Sequence, residues 1–137
     1  MSNDIQFMLP IELDEGELVS ALSSLLGQPV ESHEHPDPLA RVFLLYRRDP
    51  GGFPTYALLM VDQANPRPQP MDVARTVARH YQVPVATDLP DGHPLADDPY
   101  WHAVVDPDGT AWALAEDDDA MARTGGLALA ERTRRPL

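Results

Sequence analysis

Apolar and polar positions change period several times along this chain, and each change marks an element. In DIQFML (4–9), Ile5, Phe7 and Leu9 share one side of a period-two pattern, as a half-buried strand requires. Pro10 ends that strand or holds it at an edge. Leu18, Leu22, Leu25 and Leu26 then recur at helical spacing. Asp14 stands as N-cap with Glu17 three residues on, and Gly27 followed by Pro29 supplies the stop, so the spacing predicts a helix over 15–26.

Residues 31–38 (ESHEHPDP) are polar and proline-broken, hence a loop. Segments 39–47 and 55–62 are rich in β-branched and aromatic residues, and the DPGG between them predicts an antiparallel hairpin. Their near-continuous apolar runs, Val42 to Tyr46 and Tyr56 to Val61, suit strands covered on both faces and place this hairpin at the centre of the sheet. The linker ANPRPQP should be extended. Pro70 suits the first turn of a second helix, 70–82, with Val73, Val77, His80 and Tyr81 facing inward and Ala74 and Ala78 allowing close approach. A strand at 83–89 follows, then a Pro/Asp loop at 90–99. A second hairpin pairs 100–105 with 110–115 around DPDG.

The predicted class is therefore α+β: a mainly antiparallel sheet of about five to six strands with two packed helices. The first six elements are similar in order to the ferredoxin-like β-α-β-β-α-β arrangement, with a C-terminal hairpin added. The runner-up, an arrangement resembling type III secretion chaperones, begins with a helix, and this chain does not. Residues 1–122 are expected to form one α+β domain, and 123–137 a basic tail, partly helical or frayed.

Composition narrows the chemistry. The 137 residues include 22 Asp and Glu against ten basic residues, all of them Arg, for a net charge of -12. That balance opposes a nucleic-acid binder working by phosphate neutralisation. The absence of cysteine removes disulfide frameworks, thiolate metal sites and a cysteine nucleophile. No apolar run is long enough to span a bilayer, and MSNDIQFMLPIELDEGE lacks the features of a signal peptide, so a cytoplasmic protein without membrane association is expected. The Lys-free, Ala-, Arg- and Pro-rich composition is that of a GC-rich, bacterial genome. Charge is uneven: the last 15 residues hold four Arg and one Glu, while residues 1–122 hold 21 acids and six Arg. The tail either folds back onto the acidic body or engages something else.

Candidate chemistry is sparse. His33 and His35 form an HxH pattern that His80, His93 or His102, or an acid from the 91–98 loop, could complete as a metal site, but HxH in a proline-flanked loop is a short pattern with a high chance rate. Asp97 and Asp98 with nearby His102 could form a hydrolytic site, yet adjacent Asp pairs are expected often in a chain with 22 acids. GxSxG, GxGxxG and the Walker motif are all missing. No catalytic residue, metal ligand or cofactor is expected. The second hairpin is richer. Tyr100, Trp101 and Trp112 lie there among Asp97, Asp98, Asp106 and Asp108, and Glu116, Asp117, Asp118 and Asp119 follow directly. Aromatic anchors within an acidic rim are what docks a basic protein. Whether the two tryptophans share a face depends on register. The profile points to a non-catalytic protein-binding module, and immunity proteins that neutralise bacterial toxins by occlusion are the natural class by size and charge. The alternatives are a small metal-dependent or hydrolytic enzyme, and, within the binding class, a DNA mimic or a chaperone of a secreted effector.

Overall fold

The alternation in β1 (Ile5–Leu9) sends Ile5, Phe7 and Leu9 into the main core and Met8 into a second cluster across the sheet. The structure, a computed structural model, describes residues 4–32, 42–61 and 68–137. After β1 come α1 (Glu15–Leu26), β2 (Val30–Ser32), β3 (Val42–Arg48), β4 (Thr55–Val61) and α2 (Pro70–Tyr81). Then follow β5 (Val85–Thr87), β6 (Trp101–Val105), β7 (Ala111–Ala115), α3 (Asp118–Thr124) and β8 (Arg135–Pro136). The strands form one sheet in the order β2-β3-β4-β1-β5-β6-β7-β8.

The first helix forms as its spacing dictates. Asp14 accepts a hydrogen bond from the Glu17 amide at 2.8 Å, Leu18 and Leu22 are buried, and Gly27 takes the left-handed conformation that closes the helix. The second opens on Pro70 and buries Val73, Ala74, Val77 and Ala78. Both helices cover one face of the sheet, where Phe7, Leu9, Leu44 and Leu59 are fully buried. On the opposite face Met8, Ala86, Val104 and Leu114 are covered by Leu127 and Leu129, from the segment after α3, together with Tyr56, Phe53 and Trp112. Gly126 lies so close to the turn between β3 and β4 that a Cβ there would overlap the Pro50 carbonyl.

The α+β class holds, with a mixed eight-stranded sheet and, among the described residues, three helices. Several finer expectations do not. Among the described residues the strands number eight instead of five to six, and β2 pairs parallel to β3. This extra strand between α1 and β3 departs from the ferredoxin-like element order, and β8 extends the other edge. Segment 31–38, read as a loop, begins inside β2, because Val30 is buried against the helix layer while Glu31 and Ser32 complete the pairing. The β3–β4 hairpin forms with Val42 opposite Val61 and Arg48 opposite Thr55, but it is not central: β1 and β5 occupy the middle of the sheet. Its second face is only partly covered, so Leu58 and Met60 are half-buried and Leu45 is exposed. On α2, His80 is exposed and does not face inward; it meets Tyr81 edge-on.

The basic C-terminal residues lie along β7. Pro136 is registered with Trp112 and Arg135 with Ala113, and the Thr133 hydroxyl accepts from the Ala115 amide at 2.8 Å. No helix among the described residues is long and apolar enough to cross a membrane.

Candidate functional site

The β6–β7 hairpin fixes the positions of the predicted docking residues. Asp106 and Thr110 close its turn, and Gly109 takes the positive φ that the tight return requires. Trp101 is registered with Ala115 and Trp112 with Val104, so the two tryptophans fall on opposite faces. Trp101 packs with Leu89, Leu95 and Ala96, whereas Trp112 packs with Val104 and Leu114. Each is partly covered by an arginine of the tail. The Arg135 guanidinium lies 4.5 Å from the Trp101 ring centroid, and that of Arg134 lies 5.3 Å from Trp112.

The eleven predicted docking residues are accordingly divided. Asp97, Asp98, Tyr100, Trp101, Glu116 and Asp117 meet at one end of the hairpin, where the Glu116 amide bonds the Tyr100 carbonyl. Asp106 and Asp108 stand at the other, roughly 15 Å away by strand rise. Many of these acids have local partners. Asp98 accepts from the Tyr100 amide at 2.9 Å, and Asp106 accepts from the Trp112 indole at 3.0 Å. Asp108 accepts from the Thr110 amide, which holds its carboxyl below the usual range. Asp117 caps α3 by accepting from Ala120, and Asp118 and Asp119 are exposed in that helix's first turn.

The residues brought together are those around a cleft of about 670 Å³ between the end of β5, the 90–99 loop and the start of β6. The loop is a run of tight turns: His93 bonds back to Pro90, Ala96 to His93, Asp98 to Leu95 and Trp101 to Asp98. It buries Leu89 and presents Asp88, Asp91, Asp97 and Asp98 to the cleft, with Trp101 as part of the wall. Among the described residues no Lys or Arg lines it. Asp88 accepts from the Gln6 amide at 2.6 Å, and the Tyr56 hydroxyl donates to the same Gln6 at 3.1 Å. Asp91 and Asp97 have no side-chain partner among the described residues. Tyr100, adjoining the cleft, is 60% exposed.

His102 also lines this cleft; the sequence offers it as a third metal ligand or beside Asp97 and Asp98, and does not pair it with Glu116. Its Nε2 lies 2.7 Å from Glu116 Oε2, with side-chain exposures of 10% and 15%, while Nδ1 is buried with no partner among the described residues. The signal was in the hairpin: a register that sets His102 opposite Leu114 brings Glu116 diagonally beside it on the same face. His102 and Gln6 also line a second cavity of about 380 Å³, beneath Met121 and Leu127, where Arg47 stacks on Tyr56 at 4.1 Å and pairs with Asp49. A carboxylate-oriented histidine is the form a general base takes. Among the described residues neither cavity is lined by a serine or threonine for such a base to activate.

His33 and His35, the proposed start of a metal site, lie outside the described residues. Among the described residues no group of three or more His, Asp or Glu side chains could hold a metal ion. Compared with family models, curated proteins and solved structures, the chain matches none.

Proposed function

We propose that the protein is a non-catalytic acidic binding module that receives a basic segment of a protein partner, acting as an immunity-type protein that neutralises a bacterial toxin by occlusion. The cleft lined by Asp88, Asp91, Asp97 and Asp98 carries this reading. Carboxylates gathered in a concave site focus their field outward, which steers a basic partner and disfavours an acidic one. Tyr100 adds an exposed aromatic anchor beside the charge. The docking surface supported here is narrower than the whole hairpin. Asp106, Asp108 and Trp112 are occupied locally, whereas Asp91 and Asp97 are available to a partner.

The test is co-expression with the product of the gene adjacent to this one in its genome. The expected result is a complex at about 0.1 M salt that weakens steeply towards 1 M. Charge reversal of both available acids, Asp91→Arg with Asp97→Arg, should weaken it at least about tenfold, mainly through the association rate. A complex equally tight in the reversed variant would overturn the site, and the absence of any complex would overturn the class.

A further inference from the structure

The second cavity, of about 380 Å³, has the size of a small-molecule site, for which about 300–1,000 Å³ is usual. It is a gap between two layers. Gln6, Met8 and Tyr56 line it from the sheet, on the face away from α1 and α2, and Met121, Gly126 and Leu127 line it from α3 and the segment after it. It shares Gln6 and His102 with the acidic cleft but none of that cleft's carboxylates. Among the described residues its only Arg, Lys, Asp or Glu side chains are Arg47 and Asp49, and these engage each other. Arg47 Nε and Nη2 donate to the two Asp49 oxygens, and the guanidinium is stacked on Tyr56. A cation entering the gap finds no free carboxylate, and an anion meets the field of a chain with net charge -12. The occupant these walls suit is uncharged.

Its shape and its polar edge follow from the same walls. Met8 and Met121 bring flexible, polarisable thioethers from the two layers, and such sulfurs contact aromatic rings favourably. Gly125 and Gly126 add no side chain to the lining. A flat ring fills a gap between layers without prising them apart. Gln6 is already oriented: its Nε2 donates to Asp88 at 2.6 Å and its Oε1 accepts from the Tyr56 hydroxyl at 3.1 Å. A carboxylate only accepts, so the first bond fixes which end of the amide is nitrogen. An amide has two N–H donors and two carbonyl lone pairs, so one donor and one acceptor of Gln6 remain uncommitted among the described residues.

We infer that the gap beneath α3 is a binding site for an uncharged planar nitrogen heterocycle, its ring held between Met8 and Met121 and one edge paired with the Gln6 amide. That edge offers an acceptor beside a donor, as the amino-substituted edge of a purine base does. The site is separate from the docking reading above, and either can fail alone.

The probes are adenine, benzoate and benzylamine, flat molecules that are neutral, anionic and cationic at neutral pH. Each is titrated into the isotope-labelled full chain at about 0.15 M salt and followed by residue-resolved NMR. Adenine should bind with a dissociation constant of about 1 mM, ordinary for so small a ligand. It should shift the Gln6 side-chain amide and the backbone amides of Met121, Gly125 and Gly126, while those of His93 and Asp97 stay in place. Benzoate and benzylamine should bind there at least about fivefold more weakly. Gln6→Met keeps the length of the side chain but removes both hydrogen-bonding groups, and should weaken adenine at least about fivefold. Because Asp88 and Tyr56 lose a partner in that variant, Met121→Trp is the second: it fills the gap from a helix that buries no side chain and should abolish the shifts. No saturable shift at these residues with adenine, or adenine binding unaltered by Met121→Trp, overturns the site. Binding unaltered by Gln6→Met overturns the paired edge, and benzoate or benzylamine binding there as tightly as adenine overturns the uncharged ligand.

Discussion

Tyr81 ends α2 with its hydroxyl buried and, among the described residues, without a hydrogen-bond partner. Burial, with Glu17 and Asp14 nearby, pushes that phenol up from its ordinary value, and burial raises Tyr56 likewise. The folded state therefore keeps protons that the unfolded chain releases near pH 10, and stability falls as pH rises beyond that point. Tyr81→Phe removes an unmet hydroxyl while keeping the ring, so it should leave neutral-pH stability unchanged or raise it by up to about 1 kcal/mol. It should also flatten the alkaline limb of the unfolding curve. Urea denaturation at pH 7 and pH 10.5 checks both, and a loss of more than about 1 kcal/mol at pH 7 would show that the hydroxyl has a favourable role. At this scale the sequence was readable where a residue acts through its neighbours in the chain. Asp14, Gly27 and Gly109 announce their caps and turn. His102 and Glu116 do not, because 14 residues separate them and only the hairpin register joins them.

Elements were legible in proportion to their length and periodicity. The two long helices and both hairpins stand out because a repeated apolar spacing reinforces each residue's preference. Strand β2 has one buried side chain in three residues, and β8 is the dipeptide Arg135–Pro136. Neither can carry a period, and both exist because a neighbouring strand offers them a partner. The close seat of Gly126 on the Pro50 carbonyl was equally invisible, since it couples two turns 76 residues apart. Gly126→Ala should lift the 125–129 segment from the second face and cost about 1–3 kcal/mol. Hydrogen exchange would report it: the Asp117 amide, which bonds the Ala128 carbonyl, should lose protection while α1 and α2 amides keep theirs. Unchanged protection at Asp117 would mean that the turn at Pro50 yields instead.

For the whole molecule, the net charge of -12 is only partly answered by the tail, whose Arg134 pairs with Glu131 and stacks on Trp112. The remaining acids repel one another, and salt should relieve that. The melting temperature should rise between about 0.01 and 0.1 M salt, as the screening length falls from about 30 to about 10 Å. A flat or falling melting temperature over that range would mean that local pairing already cancels the repulsion. The candidate site is legible from composition only as an acidic region. Its reduction to one cleft followed from the register that separates the tryptophans and from the loop turns that orient Asp91 and Asp97.

The brevity of β8 bears on how the protein behaves when crowded. An open sheet edge is a flank along which identical chains could stack without limit. Here the β8 flank presents two residues, one of them a proline with no amide hydrogen to give. A second molecule approaching β8 finds almost no continuous backbone to pair with. Fibre formation along this flank is discouraged by the same short strand that holds Arg135 over Trp101.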